Sequence, residues 1–181
     1  MEYSIEHFYD FSGNLFFYTS DTSETLIARK IEIQDNVIPS SNSVSAKNLL
    51  SLGIFFDSSR YTEMSKDMVK RIKGNIKDGG PYFANWAFLY GLQVNNPTEI
   101  TINGNNALSI NNQLQRKYLP DCIIIDGNQV NLPVNENKNI PGNTQINICQ
   151  GKTCYLACDD IEKALDYLNN NIPLTLNYNN S

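Results

Sequence analysis

The sequence predicts an α+β protein built from two unlike parts. Between residues 43 and 92 apolar side chains recur at three- and four-residue intervals, the spacing of a helix face. From Pro97 onward, short runs of strand type alternate with helical stretches instead. With 41% hydrophobic residues in 181, the chain can bury an ordinary core, enough for one domain or one and a fraction.

Taken in order, residues 14–19 and 25–33 are rich in β-branched and aromatic residues and flank the polar stretch Ser20 to Glu24, which reads as a short hairpin. After Ile38-Pro39, the run Ser40-Ser41-Asn42-Ser43 offers several N-cap oxygens. Val44, Leu49, Leu50, Leu52 and Phe56 then follow at helical spacing, giving a first helix from about Ser43 to Phe56. Ser58-Ser59 caps a second helix, with Tyr61, Met64, Met68, Val69 and Ile72 on one face, so the two form a helical hairpin. Asp78-Gly79-Gly80-Pro81 breaks it, and a third helix over Tyr82 to Leu92 is apolar almost all round. Such a helix demands cover on several sides, so part of its partner surface is expected in a larger parent protein or in a second copy of the chain.

Thr98 to Ile102, a helix over Ala107 to Tyr118, and Cys122 to Asp126 form a β-α-β unit. Gly127 to Asn143 reads as a long loop, Thr144 to Cys149 as a third strand, and Asp159-Asp160 opens a last helix through Ile161, Leu165 and Leu168. The Asn-rich end, Asn169 to Ser181, should fray. The expected organisation is therefore residues 1–96, a small α/β part over 97–170, and a tail over 171–181.

Several function classes are disfavoured at once. The 14 basic residues are scattered and outnumbered by 19 acidic ones, so no patch exists to neutralise successive phosphates, and nucleic acid is not an expected partner. No apolar run approaches the roughly 20 residues that span a bilayer, and Met1-Glu2-Tyr3-Ser4 lacks a leader pattern. No membrane partner is expected, and a reducing, cytoplasmic setting is the default for so few cysteines.

Five residues form the leading ligand-binding candidate: Asp35, Asn36, Ser40, Asn42 and Ser43 are short polar side chains gathered at one junction. The same residues also satisfy a turn followed by a capped helix. Cys149 and Cys154, with Cys158 four further on, are the redox candidates; Lys152 and a nearby helix start would favour a thiolate, whereas burial or a structural disulfide is the plainer account. Zinc wants four ligands and no histidine lies near, so neither a metal nor a cofactor is expected. Gly104-Asn105-Asn106 occupies the position where strand-to-helix turns bind phosphate, though one glycine is short of a fingerprint. Trp86 with Tyr82 and Tyr90 suits sugar stacking or, more simply, a core. His7 is the sole histidine.

Three runs carry a family resemblance: Leu15 to Asp21, Glu32 to Val44, and Cys149-Gln150-Gly151-Lys152-Thr153-Cys154, in that order. From about Phe8 to Leu168 the chain resembles the C-terminal part of the family that joins a thioredoxin-like domain to an α/α toroid, the spermatogenesis-associated thioredoxin-domain proteins and their bacterial relatives. It departs from that pattern at Ser41, where glycine is usual, and after Cys154, where Ala157 or Cys158 stands in place of a proline. The resemblance implies the closing helical hairpins of an (α/α)6 toroid followed by a small β-α-β-β-α subdomain. That toroid is similar to N-acylglucosamine epimerases and six-hairpin glycosidase-like proteins, so the intact parent is expected to bind or process a carbohydrate-like ligand. The histidine pairs of such epimerases have no counterpart here, and a structural or thiol-redox-linked module is the alternative expectation. An assembly role would use the apolar third helix to form a homo-oligomer.

Overall fold

A computed structural model describes residues 1–23, 28–128, 132–135, 138 and 143–171. The architecture is α+β, and the chain divides into two units, Met1–Val94 and Asn95–Ser181.

The first unit is helical. It contains α1 (Glu2–Phe8), a two-stranded ribbon of β1 (Tyr9–Asp10) and β2 (Leu15–Phe16), α2 (Ser41–Phe55) and α3 (Ser59–Gly79), then a 3-10 turn (Gly80–Phe83) running into α4 (Ala84–Asn95). The serine run caps α2 as expected, the Ser40 hydroxyl accepting from Ser43 N, and Ser58 caps α3 from the same position. The α2–α3 hairpin closes tightly at Gly53, where a Cβ would meet the Thr62 backbone nitrogen at 3.0 Å. Gly80 takes φ +52 and lets the chain turn out of α3. The core joins Leu49 and Leu50 of α2, Met68, Val69 and Ile72 of α3, and Trp86 and Leu89 of α4 with Ile5 and Phe16. Full burial of each such side chain contributes about 1.5–3 kcal/mol.

The expected N-terminal hairpin is corrected. Leu15 and Phe16 pair antiparallel with Asp10 and Tyr9, upstream of them, and not with the described part of the later run, residues 28–33. Of that run, residues 28–33 form no strand, and Lys30 O accepts from Tyr18 N at 2.7 Å; residues 25–27 fall outside the described positions. The short α1 buries only Ile5, too weak a periodicity to stand out in the sequence.

The second unit is a mixed sheet with two helices. Strands β3 (Thr98–Asn103), β4 (Cys122–Asp126), β5 (Gln145–Gln150) and β6 (Thr153–Cys158) lie in the order β4-β3-β5-β6. The β3–β4 pair is parallel, joined through α5 (Ala107–Leu114), while β5 and β6 add antiparallel. Ile100, Ile102, Ile146 and Ile148 face Ala107, Ile110 and Leu114 of α5 and Ala164 and Leu168 of α6 (Ile161–Asn171). A 3-10 turn at Pro133–Asn135 interrupts the expected loop.

Three sequence expectations shift here. The subdomain has one strand more than β-α-β-β-α, because Thr153–Cys158 forms β6 through a two-residue turn in which Gly151 (φ 54) and Lys152 (φ 71) both take positive φ. Helix α5 ends at Leu114, before Tyr118. Asn169 to Asn171 continue α6 instead of fraying; residues 172–181 fall outside the described positions. Among the described residues no helix is long and apolar enough to cross a membrane.

Candidate functional site

The five ligand-binding candidates separate into a buried set and an exposed one. Asp35, Ser40, Asn42 and Ser43 are all at most 5% exposed, so each must find hydrogen-bond partners inside the protein. They do. Asp35 Oδ1 accepts from Ser40 N at 3.0 Å and from Ser43 Oγ at 2.8 Å, and Oδ2 accepts from Asn85 N at 2.9 Å. Asp35 N donates to Tyr82 O at 2.7 Å. Asn42 Oδ1 accepts from Phe16 N at 2.7 Å, while its Nδ2 donates to Phe16 O and Glu32 O. Trp86 Nε1 donates to Ile33 O at 2.7 Å, and Ser40 Oγ donates to the same carbonyl. Trp86 is therefore core, with its one polar atom engaged.

This polar knot ties the segment around residues 32–40 to β2, to the start of α2 and to the start of α4. It also sets which side chains that segment shows to solvent. Burial alternates along it: Ile33 and Asp35 point inward, whereas Glu32, Gln34 and Asn36 are exposed. With Lys30, Ile31 and the 66%-exposed Tyr18, they line an open groove of about 460 Å³. Asn36, alone among the five candidates, belongs to this groove, and Asn36 N donates to Ile38 O at 2.9 Å to fix the tip.

The groove combines an aromatic face with a carboxylate, two carboxamides and an ammonium. Such a set can cover the C–H face of a polar ring while donating to and accepting from its hydroxyls. Tyr18, Lys30, Glu32 and Gln34 were not among the sequence candidates. The signal for the last three is the period-two polar spacing at 30, 32, 34 and 36, which in the sequence reads in part as a hairpin strand; Tyr18 lies outside that pattern.

The other sequence candidates lie apart from the groove. Cys149 on β5 and Cys154 on β6 are register partners, their Cα atoms 3.8 Å apart and their sulfurs bonded. Cys122 and Cys158 are free, and burial pushes the Cys122 thiol up to about 12 and raises that of Cys158. Gly104-Asn105-Asn106 is a turn in which Gly104 N donates to Asn128 Oδ1, Gly104 O accepts from Asn128 Nδ2, and Asn106 N donates to Thr144 Oγ1. His7 Nδ1 lies 2.8 Å from Asp21 Oδ1, which holds the Asp21 carboxyl below its usual range and pins residue 21 to α1. Among the described residues no group of three or more His, Cys, Asp or Glu is placed to hold a metal ion.

A second polar cluster lies on the sheet face opposite the isoleucines. Glu99, Thr101, Asn103 and Asn147 are buried there. Asn103 Nδ2 donates to Lys138 O at 2.8 Å, and Lys138 Nζ stands 3.9 Å from Glu99 Oε2. Thr101 Oγ1 and Asn103 Oδ1 have no hydrogen-bond partner among the described residues. Gly127 approaches so closely that a Cβ would fall 1.8 Å from Asn103 Oδ1.

No family model matches the chain, and neither the curated proteins nor the solved structures provide a match.

Proposed function

We propose that the chain supplies closing helical hairpins of an (α/α)6 toroid whose intact protein takes a carbohydrate-like ligand, with Tyr18 and the 30–36 segment forming one wall of the ligand site. The observation that carries this reading is the division of labour in the first unit. The knot of Asp35, Ser40, Asn42 and Ser43 consumes its own polar atoms in support, and the groove presents Tyr18, Glu32, Gln34 and Asn36 outward. A fixed backbone carrying exposed polar side chains beside an aromatic ring keeps the ordering cost of binding low. Binding is assigned to these residues, and no catalytic role is.

Amide chemical shifts followed during titration with N-acetylglucosamine test the reading. Shifts concentrated at Tyr18 and at 32–36, lost in Tyr18→Ala, are expected. Saturating sugar that leaves those amides unmoved removes the proposal.

A second reading, assembly, draws on α4. Ala84, Ala87, Phe88 and Val94 are exposed on that helix, an apolar face suited to another helix. Light scattering decides it: a dimer dispersed by Phe88→Glu favours assembly, and a concentration-independent monomer discards it.

A further inference from the structure

The Cys149–Cys154 bond differs from a buried structural disulfide in its surroundings. Cys149 is fully buried on the inner strand β5, whereas Cys154 is exposed on β6, the last strand of the sheet. The bond closes a separation of only five residues, across a two-residue turn whose ladder already holds the strands in register. A link that short constrains the unfolded chain little, so its contribution to stability is near the low end for a disulfide. Next to Cys154 the register slips by one residue, leaving Tyr155 as a bulge, 57% exposed. The outer side of β6 therefore offers an exposed half-cystine, an exposed aromatic residue and an edge unpaired by any strand among the described residues, the features by which an extended partner segment docks.

We propose that this pair is a thiol–disulfide exchange site entered at Cys154, with Cys149 as the leaving and resolving cysteine and a dithiol as its reaction partner. A thiolate of the dithiol attacks Cys154 Sγ. The Cys149–Cys154 bond breaks, a mixed disulfide forms at Cys154, and Cys149 leaves with the electron pair and takes up a proton. The second thiol of the partner then attacks its own sulfur in the mixed disulfide. Cys154 leaves as a thiol, and the partner departs as a disulfide. Two electrons and two protons have passed to the protein, and the reverse sequence reoxidises it. Because the hairpin ladder keeps the two sulfurs adjacent, reclosure is fast and local. The two free cysteines stay out of the exchange: burial disfavours their thiolates, so neither is a competent nucleophile at neutral pH.

The test uses the whole chain under native conditions. Dithiothreitol is added without denaturant, free thiols are trapped with iodoacetamide, and the modified residues are mapped by mass spectrometry. Two new thiols, at Cys149 and Cys154, with far-ultraviolet circular dichroism unchanged, are expected. Labelling at those positions only after urea overturns the proposal. Direction of entry is read from single variants exposed to oxidised glutathione: Cys149→Ser should take up one glutathione at Cys154, and Cys154→Ser should take up none at Cys149. Equal uptake in the two variants contradicts entry at Cys154.

Discussion

The main buried polar cluster of the first unit and that of the second are satisfied in opposite ways. In the first, every polar atom of the Asp35 carboxylate and the Asn42 carboxamide has a partner, most of them backbone groups at the ends of helices and at β2. In the second, the sheet face of Thr101 and Asn103 carries two buried oxygens without a partner among the described residues, beside a lysine and a glutamate 3.9 Å apart. A fully satisfied network in a low-dielectric interior rigidifies its surroundings, and a partly satisfied one costs stability. The knot should thus resist change, and the sheet face should tolerate or even gain from losing polarity.

The sharpest way to break this comparison is Asp35→Ala. It leaves Ser40 N and Asn85 N without their acceptor and Ser43 Oγ with the Ser40 carbonyl alone, so a loss of about 3 kcal/mol is expected in urea unfolding. A loss below about 1 kcal/mol would mean that the knot is not what holds the segment. Next in size is the disulfide: the Cys149→Ala/Cys154→Ala pair should lose about 2 kcal/mol while keeping a cooperative transition. Thr101→Val reverses the sign. It removes a buried hydroxyl without a described partner and keeps the side-chain shape, so thermal melting should show no loss, or a gain of about 1 kcal/mol. A clear loss would reveal a partner for that oxygen.

The smallest effect is a pH dependence. Burial is the main cause holding the Lys138 ammonium below its ordinary value of 10.5, with Glu99 working against it. The unfolded chain keeps this proton to higher pH than the folded chain does. The cost of burying the cation is therefore full below the folded value, and stability rises as pH climbs from there towards 10.5. Cys122 and Cys158, both raised from 9.0, and Tyr9, pushed up from 10.0 to about 12, oppose this rise once pH passes those unfolded values. Lys138→Met removes this component, so the difference in urea midpoint between variant and parent should narrow as pH climbs towards 10.5.

How much of this was legible in the sequence depended on the range of the interactions. The caps at Ser40 and Ser58, the helices they open and the β3-α5-β4 unit are local patterns, and they read correctly. The hairpin did not, because Leu15 and Phe16 found β-partners at Tyr9 and Asp10 while the later run was fastened by the Asn42 carboxamide from another element. The site divided along the same line. Capping chemistry showed that Asp35 to Ser43 were special, but the roles split residue by residue only once the knot was visible. Asn36 went to the groove and its neighbours to support. β6 was hidden for a different reason: its six residues were read as a cysteine motif, and the turn that makes them a strand rests on the positive φ of a lysine.

The measurement that tests the central claim most directly is affinity and stability recorded together on Asn36→Ala, with N-acetylglucosamine as the probe. An unchanged melting temperature with sugar binding lost is predicted, since Asn36 faces the groove and takes no side-chain part in the knot. Binding retained at the original affinity would contradict the assignment of the groove.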